Sequence, residues 1–335
     1  MASGIRALRK IQVGLENPRG TIVPATARLV GMLTMKENQK YYRPADLETG
    51  QFDDYTRSAI TSKQMGATFD ADANYEQLGY LLGMSIEGGI TPGGGGSNPY
   101  TRTYALIPTA TQALDTRTFE YGDDIQAFVS PFVFATDIEL SGKLDDVVKV
   151  KANLVGQHAA TQSFTSALSN PTTLTPVIVG TGVTHLNTSW AALGTTPLTS
   201  TLIDFSYKLT ADKGTAQVPV KYMDGFLYYT DMAEQKRHIE LDLTLAFNSS
   251  VVTLFGYYIA NPQTLSFWDL KFTGPAITGG YDGLEMGGAF VIDDFSELKE
   301  RDGQDIVSLK LKSQKETVTG NNYKVVLTNA IAALP

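Results

Sequence analysis

Cysteine is absent from all 335 residues of this chain. That gap removes disulfides, thiolate nucleophiles and every cysteine-ligated metal site, while assigning the protein to neither side of a membrane. Long apolar runs are missing too, and nothing approaches the roughly 20 residues that cross a bilayer as a helix. No continuous hydrophobic stretch follows Arg6, Arg9 and Lys10, so neither a secretory leader nor membrane insertion of the subunit is expected. Charge is sparse at 19% Asp, Glu, Lys and Arg, and its balance is acidic, with a formal net charge of −8. A protein that grips a duplex in a phosphate-neutralising groove needs a basic stripe, which this composition does not supply. The only histidines are His158, His185 and His238, without ligand spacing among them, so no metal and no other cofactor is expected.

What is present points to sheet. The stretch Ile239-Glu-Leu-Asp-Leu-Thr-Leu-Ala-Phe247 carries a large apolar residue at every second position. Successive strand side chains point to opposite faces, so Ile239, Leu241, Leu243, Leu245 and Phe247 face a core while Glu240, Asp242 and Thr244 face water. Similar alternation marks Thr101 to Pro108, Phe128 to Leu140, Val148 to Leu154, Ile203 to Leu209, Ile306 to Leu311 and Tyr323 to Thr328. Lys149 and Lys151 are expected opposite Asp137 or Glu139 in a hairpin. Apolar residues make up 42% of the chain, enough to fill a core in each of two domains.

Two stretches change period. Leu78, Leu81 and Leu82 follow helical spacing behind Asn74, a capping residue, and residues 249–259 read as a short helix or turn. Residues 5–13 are either an N-terminal edge strand or an arm that docks on a neighbouring subunit, with Arg6, Leu8, Arg9, Ile11 and Val13 as the candidate arm residues. Residues 35–60 read as a polar excursion, and Phe52, Asp53, Asp54 and Tyr55 mark a candidate bridging loop. The glycine run near residues 88–99 lacks the Gly-Lys-Ser/Thr of a phosphate loop.

The fold class expected is mainly β, with two tandem β-sandwich or barrel domains, each carrying a short helix and long loops. The expected boundaries are 1–165, a connecting segment 166–200 rich in Thr, Ser, Asn, Pro and Gly, and 201–335. An order of parts recurs: 67–72 leading into 74–83 is echoed by 241–247 leading into 248–256, and 132–137 with 147–153 by 290–295 with 306–312. Tandem duplication and chance similarity of short β-rich blocks are both open at this stage. If the duplication is real, three chains close a ring of six similar units.

No enzyme is legible. The acid pairs Asp53-Asp54, Asp123-Asp124, Asp145-Asp146 and Asp293-Asp294 sit at apparent turns and read as solvated corners rather than catalytic carboxylates. A carbohydrate- or surface-binding β-sandwich module of a virion or cell surface is the alternative, for which stacking aromatics should gather on one exposed face. Alternating strands can instead join edge to edge around a ring, which removes exposed edges by closure.

Arg6-Ala-Leu-Arg-Lys-Ile-Gln-Val-Gly14, then Gly20-Thr21, Ala25-Thr26 and Leu29, resemble the opening of the major tail tube proteins of long, non-contractile-tailed, siphovirus-type bacteriophages. The similarity continues through Leu78 to Gly83, Tyr100 to Ile107, Phe272-Thr-Gly274 and Glu300-Arg-Asp-Gly-Gln-Asp305 to the strand before Asn329, and is weakest over 157–200. The resemblance implies a self-assembling virion structural protein whose stacked rings, trimers with pseudo-sixfold symmetry or else hexamers, form a hollow tube. Its implied partners are other copies of itself, the tape measure protein, tail terminator and tail-tip proteins, and double-stranded DNA only in transit through the lumen. The implied location is the phage tail tube, with assembly in the host cytoplasm. Asp137, Glu139, Glu240 and Asp242 are the candidate lumen-facing acids, the other possibility being that they face bulk solvent or a neighbouring ring.

Overall fold

The computed structural model describes residues 6–43, 58–92, 98–106, 114–199, 201–211 and 214–334. Its strands begin with β1 (Lys10–Leu15), β2 (Ala27–Leu29), β3 (Met32–Tyr42) and β4 (Ala59–Asp72), which lead into helix α1 (Leu78–Gly83). Then come β5 (Gly88–Pro92), β6 (Tyr100–Ala105), β7 (Arg117–Gly122), β8 (Ala127–Lys143), β9 (Lys149–Gly156), β10 (Ala160–Gln162) and β11 (Gly182–Asn187). The second half supplies β12 (Leu202–Ala211), β13 (Gln217–Val220), β14 (Asp231–Glu234), β15 (Arg237–Ala246) and helix α2 (Ser249–Ile259). It closes with β16 (Ser266–Ile277), β17 (Gly280–Phe295), β18 (Lys299–Arg301), β19 (Gln304–Ser313) and β20 (Tyr323–Asn329).

The protein is mainly β, and among the described residues 18 strands join one antiparallel network while β13 and β14 form a separate hairpin. Its spine is the run β3–β4–β9–β8–β12–β15–β19–β17. The early part of β8 leaves that run to pair with β7 and β10, and the early part of β17 does the same with β16 and β20. One pairing scheme thus occurs twice. The bonds β3–β4, β4–β9, β9–β8 and β8–β7 have counterparts in β12–β15, β15–β19, β19–β17 and β17–β16. In each half a helix follows the second strand. The halves meet at the β8–β12 seam, where Phe205 lies across from Gly142. A β-carbon at Gly142 would stand 2.5 Å from that ring, so the close approach requires glycine.

Burial follows the period-two pattern. Ile239, Leu241, Leu243 and Leu245 are buried along β15, flanked by Ile138, Leu140, Leu154, Phe205, Leu209, Leu309 and Leu311 from its sheet neighbours. Trp268, Leu270 and Phe272 of β16 and Leu284 and Met286 of β17 complete the same core. Each such side chain contributes about 1.5–3 kcal/mol by leaving water.

Helix α2 starts where the sequence indicates, with Asn248 Oδ1 accepting from the backbone N of Ser250 and Val251. Asn74 caps the turn before α1 instead of the helix: its Oδ1 accepts from Gln77 N at 2.8 Å, and Gln77 holds the N-cap position. Three expectations are revised. Residues 35–42 are strand rather than excursion, because β3 pairs along its length with β4 although its own side chains stay half-exposed. Asp293 and Asp294 lie within β17, where Asp294 faces Lys310, not at a turn. Strand β1 is not an edge, since it pairs with both β2 and β7. The segment 166–200 packs on the molecule through β11, which pairs with β16.

Candidate functional site

The water-facing side of the spine carries the four acids that sequence alternation singles out. Asp137 and Glu139 stand on β8, Glu240 and Asp242 on β15, and β12 lies between these strands. Cross-strand register arranges them in rows. One row reads Asp70, Lys151, Glu139, Lys208, Glu240 and Lys312 across β4, β9, β8, β12, β15 and β19, so charge alternates at every step. The next reads Asp72, Lys149, Ser141, Ser206, Asp242, Lys310 and Asp294, with a pair of serines at the seam. Opposite charges facing each other across antiparallel strands stabilise the pairing by a few tenths of a kcal/mol each.

Local contacts fix the acids further. Ser206 Oγ donates to Glu139 Oε1 at 2.9 Å, and Asn153 Nδ2 donates to Asp137 Oδ1 at 2.8 Å. Lys149 Nζ lies 2.7 Å from Asp72 Oδ1, and Arg301 Nη1 lies 2.8 Å from Asp204 Oδ2. Loss of solvent pushes the Asp137 carboxyl above its ordinary range against the pull of Asn153 and Thr136. Desolvation raises Asp242 as well, aided by the negative charges of Glu240 and Glu139 and opposed by Lys310 and Lys208. An open hollow of about 630 Å³ sits on this face at the seam, lined by residues such as Glu139, Lys149, Asp204, Asp242 and Lys310. Among the described residues no group of three or more His, Asp or Glu side chains is placed to hold a metal ion.

The two ends of the spine are unpaired edges. Among the described residues β3 pairs as a strand only with β4, although its Glu37 Oε2 accepts from Ala159 N, and residues 291–295 of β17 pair only with β19, apart from Gln263 Nε2, which donates to Ile292 O. Their counterparts in the repeated scheme, β12 and β8, are the two strands that pair with each other at the seam.

The candidate arm residues are divided by the fold. Ile11 and Val13 lie in β1 and are buried in this chain's own core, whereas Leu8, in the short turn before it, is 45% exposed and Arg6 and Arg9 are exposed with it. Phe52, Asp53, Asp54 and Tyr55 lie outside the described residues. Sequence reading missed Lys208, Lys310 and Lys312 on the wet face, although Lys310-Leu-Lys312 carries the alternation that would have found the last two. No known family model matches the chain, and no curated protein matches it.

Proposed function

We propose that this chain is the structural subunit of a phage tail tube, built of two tandem tube-like β domains that assemble head to tail. The observation that carries the reading is the relation between the seam and the free edges. Inside the chain, the fourth strand of the first set pairs with the first strand of the second. The corresponding strands left open are β17 and β3, so a second copy can repeat the same junction outside the chain. A contact between two different surfaces of one molecule closes into a ring when its rotation allows, and three chains then present six similar units. Closure also removes the exposed edges, which otherwise invite aggregation.

In such a ring the charged face of the spine lines a channel. Its lysines stand beside acids in register, leaving no uncompensated basic track for a passing duplex to grip. Stacked rings of this kind enclose the tape measure protein during assembly, meet terminator and tip proteins at their ends, and conduct DNA in the virion. Native mass spectrometry of the purified protein over a concentration series tests the subunit arrangement. Species with the mass of three chains are expected; a single-chain mass at every concentration overturns the reading, and a six-chain ring replaces the trimer with the hexamer.

A further inference from the structure

The two halves of the chain match residue by residue as well as strand by strand. On β8 the register shifts between Ala135, opposite Leu154, and Asp137, opposite Asn153; on β17 it shifts between Ile292, opposite Leu311, and Asp294, opposite Lys310. Superposing the two shifts makes Asp294 the counterpart of Asp137 and Phe295 that of Ile138. Ser296, whose N donates to Ser308 O, then stands where Glu139 faces Lys151. The capping residues Asn74 and Asn248 align β4 with β15 independently. The two alignments agree: the caps match Asp72 to Ala246, and the shifts match their strand partners, Lys149 and Ile306, to each other. One strand further out, Lys36 opposite Gly66 takes the place of Lys208 opposite Glu240, and Met35 opposite Ala67 that of Tyr207 opposite Leu241.

This correspondence says which residues meet when the seam recurs between copies. Inside the chain Lys208 faces Glu139, Leu209 faces Ile138 and Tyr207 faces Leu140. Their counterparts are Lys36 with Ser296, Glu37 with Phe295, and Met35 with the step 297–298 that leads from Ser296 to Lys299, itself opposite Ile306. Leu140 is 2% exposed at the seam, whereas Leu298 stands 56% exposed. Among the described residues the backbone of residues 32–37 bonds along one side only, to β4. Ser296 turns its N–H toward β19, so opposite Lys36 it forms a non-hydrogen-bonded pair, the kind in which side chains stand closer.

We infer that β3 of one copy adds to the β17–β18 edge of the next in a single antiparallel register, with Lys36 opposite Ser296, Asn38 opposite Asp294 and Leu298 covered beside Met35. The inference rests on the head-to-tail ring reading and adds to it the register of the junction. A slip of one residue would turn Met35 and Lys36 to the wrong faces. Because the chain has no cysteine, engineered pairs report the register without background. Chains carrying Lys36→Cys with Ser296→Cys, and others carrying Asn38→Cys with Asp294→Cys, are mildly oxidised and resolved on a non-reducing denaturing gel. Disulfide-linked multimers ending at the number of chains in the ring are expected from both pairs, and none from any single variant. Thr34→Cys with Ser296→Cys, displaced by two residues, is expected to link about tenfold more slowly or not at all, since diagonal α-carbons stand too far apart to bridge. Leu298→Asp, checked for an unchanged circular dichroism spectrum, is expected to raise the concentration needed for assembly by about tenfold or more. Rings of the expected mass that link through neither in-register pair, or equally well through the displaced one, overturn the register and leave the ring reading standing. Linking by Ser296→Cys alone overturns it in favour of two like edges meeting. Assembly of Leu298→Asp at the parent's concentration overturns the contact with Met35. A single-chain mass for the unmodified protein removes the ring reading first and this register with it.

Discussion

Glu139 on β8 faces Lys208 on β12 directly across the seam between the two halves of the chain. Lys208 in turn is in register with Glu240 on its other side, so one cation stands between two acids from different halves. The seam is therefore held in register by charge on the wet face and by Tyr207, Leu209, Ile138 and Leu140 on the dry one. A one-residue slip would move all of these to the wrong side.

Reversing that cation places three acids side by side. Lys208→Glu is expected to lower stability by about 1–2 kcal/mol, two attractive cross-strand pairs becoming repulsive, with part of the loss recovered in high salt. Lys208→Gln loses less. Urea unfolding at low and high ionic strength separates the two variants.

A buried carboxylate outside the wet face carries more weight for the fold. Glu16 Oε1 accepts from Phe132 N at 2.7 Å and Thr118 Oγ1 at 2.9 Å, and its Oε2 accepts from Gly20 N at 2.8 Å and Thr116 Oγ1 at 3.0 Å. It ties the turn after β1 to β7 and fixes Phe132, whose φ of 54° is rare for a bulky residue. Glu16→Ala leaves buried backbone donors unmet and is expected to cost about 3–5 kcal/mol in chemical denaturation. Glu16→Gln keeps one acceptor oxygen and costs less.

Two buried acids set a pH dependence. Burial raises Asp269, reinforced by the negative charge of Glu285; burial raises Asp282 to about 6, reinforced by Glu76. Both are protonated in the folded protein at a pH where an unfolded aspartate, near about 3.9, has lost its proton. Their contribution therefore falls as pH rises from about 4 through about 6 and, for Asp269, beyond. Asp123, held down by the backbone N–H of Ile125, and Asp224, held down by Thr230, act in the opposite sense. Comparing variant with parent isolates the first pair: Asp269→Asn with Asp282→Asn is expected to raise Tm at pH 8 relative to the parent and to narrow that difference at pH 4. An equal difference at both values contradicts the assignment.

Much of the sheet was legible because period two is local. The alternation in residues 239–245 gives β15 and its buried face, whereas Phe247, expected in the core, lies past the strand and is exposed; residues 249–259, read as a short helix or turn, form α2. The same alternation gathers Asp137, Glu139, Glu240 and Asp242 on one face once their strands share a sheet. Which strands are neighbours is not local. Lys151 does lie opposite Glu139, but Lys149 faces Ser141 and Asp137 faces Asn153, because the turn between the strands sets one unbroken register from Ser141 back to Asp137. The joining of β8 to β12 depends on the glycine that admits Phe205, which reads in sequence as an ordinary Ser-Gly pair. Strand β3 was missed because its burial is shallow and Glu37, Gln39 and Tyr41 follow no apolar period; pairing with β4 makes it a strand.

The central claim is that the internal seam repeats between chains and closes a wall around a channel. Negative-stain electron microscopy of the purified, concentrated protein tests it most directly. Rings with a central opening and six similar lobes, stacking into hollow tubes, are the expected result. Separate compact particles with no opening and no contact between copies would contradict it.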